Sequence, residues 1–177
     1  MDKQPLQNKV RFLIAFLITI IILLLCICIF LLASKDEAPV LSPDIAPSNT
    51  DKYAEPFDGA SGDKLEEPEG GGAASIACTK NVTIDLSSEK ATMMFGNPSR
   101  SNQNIIVQVV IQDTVIAQSG LITPGSKITT LELLPSMKKS LSEGTYIGKY
   151  IVLFYDTETD EKELVSTEMF INIIVKE

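Results

Sequence analysis

Between residues 12 and 33 no charged side chain occurs, and the stretch is almost wholly Ile, Leu, Phe and Cys; from residue 82 onward apolar residues instead fall on alternate positions. The first pattern predicts a helix that is apolar on every side, the second a series of half-buried strands. Twenty-two residues make roughly 33 Å of helix, which matches a hydrocarbon core of about 30 Å. The apolar run exceeds the roughly 7 to 15 residues of a cleavable leader and ends without a good small-x-small site, so a retained signal-anchor is expected. Cys26 and Cys28 read as ordinary apolar members of this span.

The alternating part resolves into strands at 82–86, 91–95, 105–111, 115–119, 128–134, 146–155 and 164–175, divided by polar turns at 97–102, 113–114, 123–125 and 156–163. In the third strand Ile105, Val107, Val109 and Ile111 share a face opposite Gln108. Residues 138–144 form a loop or one helical turn. Seven or so strands without a long amphipathic helix predict an all-β fold, an antiparallel immunoglobulin-like β-sandwich, preceded by one transmembrane helix and a disordered linker. Leu141, Gly144 and Tyr146 just before the sixth strand resemble a tyrosine corner, in which a Tyr hydroxyl bonds back to nearby backbone. That assignment turns Tyr146, Gly148, Tyr150, Val152 and Phe154 inward and Lys149 outward.

Charge then divides the chain. Lys3, Lys9 and Arg11 precede the apolar run, which puts residues 1–11 in the cytoplasm as a short tail and the remainder outside a single-pass plasma-membrane anchor at 12–33. Residues 34–74 hold ten acidic residues against three lysines, with five prolines and five glycines. Such a composition cannot bury enough apolar surface to offset its ordering entropy, and a disordered extracellular tether is expected there. The domain at 75–177 has room for one core. Arg100 is its only arginine, so the basic stripe that nucleic acid requires is missing.

Little in the chain points to catalysis. There is no histidine, which rules out Ser-His-Asp and Cys-His constellations and a His-ligated zinc. The acidic turn 156–163 lacks the Gly and Glu of an EF-hand loop and reads as a solvated hairpin end. No cofactor is expected. Cys78 is the one cysteine beyond the span; it reads as a small buried side chain on a strand, with an intermolecular disulfide as the alternative.

Two surfaces remain as candidates for noncatalytic binding. The first is the loop containing Asn97, Ser99, Arg100, Ser101 and Asn102, in which Arg100 is a multidentate donor. The second is a row of aliphatics on the outer face of the last strands and the third: Ile106, Val110, Ile147, Ile151, Leu153, Phe170 and Ile174. An outward aliphatic row is either covered by the tether or an added strand, or is a contact for a partner or a second copy of the chain.

The run 91–101 with Asn97-Pro98-Ser99-Arg100-Ser101, then Ile111-Gln112-Asp113, Ser119-Gly120-Leu121-Ile122-Thr123-Pro124-Gly125 and 141–146, resembles small membrane-anchored extracytoplasmic domains of Gram-positive anaerobes. The resemblance spans 70–177. It implies an envelope location and a sandwich fold, and it brings no catalytic residues with it. The expected role is a binding or assembly module facing a protein or cell-wall ligand; an accessory subunit of a secretion or conjugation machine and a histidine-independent envelope enzyme are the alternatives.

Overall fold

A computed structural model describes residues 4–33, 41–57, 62–67, 71–135 and 137–177, with side chains of the first segment described over 11–27. Helix α1, Gln4–Ala33, runs for 30 residues without interruption. Pro5 lies in its first turn, where the missing N–H has no intrahelical partner to lose. Its large apolar side chains, Phe12, Leu13, Phe16 and Leu23 among them, are exposed all round. Among the described residues no helix is long and apolar enough to cross a membrane; 11–27 rises about 25 Å. Residues 12–33 lie within α1 and are helical as expected. Met1–Glu37 and Ala38–Glu177 form two compact units.

Among its described residues the second unit has β-strands as its regular structure apart from one short turn of helix. Its strands are β1 (Glu55–Pro56), β2 (Ala77–Cys78), β3 (Asn81–Asp85), β4 (Lys90–Asn97), β5 (Gln103–Ile111), β6 (Thr114–Gln118), β7 (Ser126–Glu132), β8 (Gly144–Asp156) and β9 (Lys162–Lys176), with α2 (Met137–Ser140) between β7 and β8. They form one curled sheet in the order β1-β7-β4-β3-β9-β8-β5-β6, with β2 also on β4. Every predicted strand is present. The expectation of a purely antiparallel sheet is corrected at one place: β3 runs parallel to β9, from Asn81 opposite Asn172 to Asp85 opposite Lys176. It is antiparallel to β4 on its other side, so β3 links the two halves of the sheet. At the opposite side Ala117 bridges Leu133, and the Leu134 N–H donates to the Ile116 carbonyl at 2.8 Å, which draws β6 towards the end of β7.

Curling brings the inward residues of both halves into one core. Val82 and Ile84 of β3, Phe95 of β4 and Ile128 and Leu131 of β7 pack in the same cluster as Ile105, Val107 and Val109 of β5, Tyr150 and Val152 of β8 and Ile171 and Ile173 of β9. Phe95 meets Tyr150 edge to face, with ring centroids 5.2 Å apart and an interplanar angle of 77°, a favoured aromatic geometry. Gly148 has no room for a side chain: a Cβ there would lie 2.6 Å from the Val110 carbonyl oxygen and against Ile173. The inward and outward positions along β8 fall as the alternation predicts, including half-exposed Lys149, which reaches Glu168 at 3.1 Å.

The expected disordered tether is corrected by residues 41–57, which are packed against the sheet as a strap. Ala46 is buried with Ile106, Leu121, Leu153 and Tyr155 in a second apolar cluster on the outer face. The Tyr155 hydroxyl donates to the Pro43 carbonyl at 2.9 Å, and the Lys162 and Ala46 amides bond to Asp44 and Asp160 carbonyls. Further along, the Asp51 carboxylate accepts from the amides of Gly120, at 2.6 Å, and Tyr53, at 2.7 Å. Strand β1 then adds to β7. A stretch whose own apolar content is too small for a core is ordered by the ready-made sheet beneath it.

Candidate functional site

The loop 97–102 is built inward more than outward. Asn97 is fully buried, and its amide donates to the carbonyls of Gln103, at 2.8 Å, and Ile122, at 3.0 Å. Ser101 is also buried; its hydroxyl accepts from the Ser75 amide at 2.8 Å, and the Asn102 side chain accepts from the Ala73 amide at 2.7 Å. The Arg100 carbonyl accepts from Leu65, and Lys64 reaches the Ser101 carbonyl at 2.6 Å. Asn97 therefore braces the loop against β5 and Ile122, the Ser101 and Asn102 side chains hold segment 71–75 and the loop carbonyls hold 62–67, so burial of Asn97 and Ser101 corrects their expected role as ligand contacts. Ser99 and Arg100 are the exposed members of the set.

The outer aliphatic row divides in two. Ile106 and Leu153 lie beneath the strap, with half-buried Ile151 beside them, and Val110 is buried as well. These four are removed from the expected interaction face. Ile147 (78% exposed), Phe170 (77%) and Ile174 (48%) stay open. Ile147 sits opposite Asn172, so Phe170 and Ile174 are its diagonal neighbours on β9 and the three form one patch.

The tyrosine corner has the expected bond: the Tyr146 hydroxyl donates to the Ser142 carbonyl at 2.8 Å. Gly144 has φ of 151°, a conformation that side-chain-bearing residues rarely adopt, and Leu141 packs on the main core. The corner shapes the entrance to β8.

Other polar groups close turns. The Asp156 carboxylate accepts from the amides of Glu158 and Thr159 at 2.8 and 2.7 Å, and these bonds hold its carboxyl below the usual range. Between β3 and β4 the Asp85 carboxylate accepts from the Ser87 hydroxyl at 2.6 Å and from the amides of Ser88 and Ser87, and these bonds likewise hold its carboxyl low. Cys78 is half-buried against the main core, and burial pushes its thiol up, which suppresses thiolate chemistry. The Tyr150 hydroxyl is buried with no hydrogen-bond partner among the described residues.

One surface was not singled out by the sequence patterns. Thr83, Thr92 and Thr130 lie side by side across β3, β4 and β7. They floor a depression of about 400 Å³ flanked by Lys90, Lys176 and Tyr53. The available signal was a threonine on the outward phase of three separate strands; without the strand order nothing shows that they meet. Tyr53 arrives there only because the strap carries it, with its hydroxyl on Glu132 at 2.7 Å.

No family model matches the chain, and no curated protein matches it. Among solved structures it is similar to AggA, the major subunit of aggregative adherence fimbriae type I from Escherichia coli, at a TM-score of 0.32 and 9% identity, over 63% of this chain and 100% of that one. A likeness of that size defines neither a family nor an activity.

Proposed function

We propose that this chain is a single-pass membrane protein of a Gram-positive-type envelope, with a short cytoplasmic N-terminus and an extracytoplasmic immunoglobulin-like sandwich that serves as a noncatalytic binding or assembly module. The observation that carries this reading is the uninterrupted 30-residue helix α1, uncharged from residue 12 to residue 33 and exposed along its described apolar side chains. A helix apolar on all faces has no polar side to give to water and is stable within lipid. Basic residues ahead of it orient it with the N-terminus inside. The Tyr146 to Ser142 bond and the strand order, with β3 serving both halves of the sheet, support the immunoglobulin-like description. The role in binding rests on the exposed Ile147, Phe170 and Ile174 and on exposed Ser99 and Arg100. In intact protoplasts, added protease should digest residues 41–177 while cytoplasmic markers survive. A sandwich that is cut only after lysis overturns this topology.

A further inference from the structure

The edge of β9 is filled at both ends and open between them. The Asn172 amide donates to the Lys80 carbonyl at 2.8 Å, where β3 joins, and the Lys162 amide donates to the Asp44 carbonyl at 2.9 Å, where the strap joins. Both are even-numbered residues. The irregularity opposite Leu153 and Tyr155 adds two residues to β9, which preserves the alternation. The N–H and C=O groups of Leu164, Ser166, Glu168 and Phe170 therefore point away from β8. Among the described residues none pairs with them. Natural sheets blunt such edges with proline, lysine or a covering segment. Residues 163–170 contain neither proline nor lysine, and the Leu164 and Phe170 side chains are 104% and 77% exposed.

The sequence of this edge is symmetric about its centre. From 164 to 170 it reads Leu-Val-Ser-Thr-Glu-Met-Phe: two apolar residues, a polar one, Thr167, a polar one, two apolar. We propose that a second copy of the chain adds antiparallel to β9 about a two-fold axis at Thr167, joining two sheets into one. In that register Leu164 of each copy lies opposite Phe170 of the other on the outer face, and Val165 lies opposite Met169 on the inner face. Ser166 meets Glu168, whose charge is already held by Lys149 of its own copy at 3.1 Å. Neighbouring registers are worse. Centring on Ser166 sets Leu164 against Glu168 and Lys162 against Phe170, and centring on Glu168 sets two like charges face to face. The two-fold places the same strand on both sides of the contact, as closed homodimers require. Ile147 and Ile174 widen the apolar strip beside Phe170.

The test uses the full-length chain in its membrane and in detergent, with Cys26, Cys28 and Cys78 replaced by serine. Residues paired across a two-fold at a position without hydrogen bonds have Cα atoms about 4.5 Å apart, within disulfide range. Thr167→Cys should give a covalent dimer on mild oxidation, and Glu158→Cys in the exposed turn should not. Ser166→Pro removes an outward N–H and leaves the ladder to β8 intact, so it should convert the dimer to a monomer by mass in detergent. A wild-type chain that is monomeric at high concentration overturns the proposal, as does the absence of the Thr167 crosslink. A dimer that survives Ser166→Pro does so too, since it places the contact elsewhere, α1 included. The readout is independent of which side of a membrane the sandwich occupies.

Discussion

Tyr155 shows how one side chain joins the strap to the sheet and makes that junction sensitive to alkali. It is fully buried, its hydroxyl donates to Pro43, and burial, with the Asp44 carboxylate adding, pushes its pKa up to about 12. In an unfolded chain a tyrosine ionises near pH 10. The folded state thus keeps a proton that the unfolded state loses, so the contribution is complete below about pH 10 and disappears as pH rises through 12. Tyr155→Phe should flatten the decline in the urea midpoint over that range, while lowering the unfolding free energy at neutral pH by roughly 1 kcal/mol for the lost hydrogen bond. Parallel curves for the two proteins would show that another group carries the alkaline sensitivity. Tyr150 is raised by burial in the same direction and leaves a residual slope. Neither effect is visible in the sequence, where both residues are simply inward and outer positions of one alternating strand.

At the scale of elements the strap is the least conventional part of the molecule. Its composition is that of a disordered chain, yet Asp51 accepts from the Gly120 amide of the fold and the Tyr53 amide of the strap, and Gly120 lets it approach closely: a Cβ on Gly120 would stand 2.9 Å from the Asp51 Cα. Asp51→Ala leaves the Gly120 and Tyr53 amides without that partner, a change that costs about 1 to 3 kcal/mol. The expected result is faster hydrogen exchange at the amides of Ala46 and Asp51, with those of β5 and β8 unchanged. Equal acceleration in β8 would mean that the strap and sheet unfold as one cooperative unit. The strands themselves were legible because alternation is written residue by residue in β3 and in the first part of β8, whereas β5 is buried on both faces. Segment 41–57 was not legible, because what orders it is the outer row Ile106, Leu153 and Tyr155, far along the chain.

For the whole molecule, order among the described residues reaches back to Leu41, well before the expected boundary at Ser75. Under native conditions fragments containing 41–57 should remain bound to the sheet after limited proteolysis of the full chain, even where cuts fall between 57 and 71. Recovery of a clean core beginning near Ser75, with the strap washed away, would contradict the packing. The candidate surfaces were half legible for the same reason: outward phase on a strand named Ile147, Phe170 and Ile174, which are exposed, but also Ile106, Val110 and Leu153, which tertiary contacts cover. The sequence alone determined the apolar helix, the strands, their inward faces and the tyrosine corner, since each depends on side-chain chemistry within a few residues. Only the tertiary structure decided that β3 lies parallel to β9, that the strap covers half of the outer face and that the middle of β9 is left open. Backbone hydrogen-bonding groups are identical in every residue but proline, so strand partners and uncovered edges are set by where the chain travels and not by local pattern.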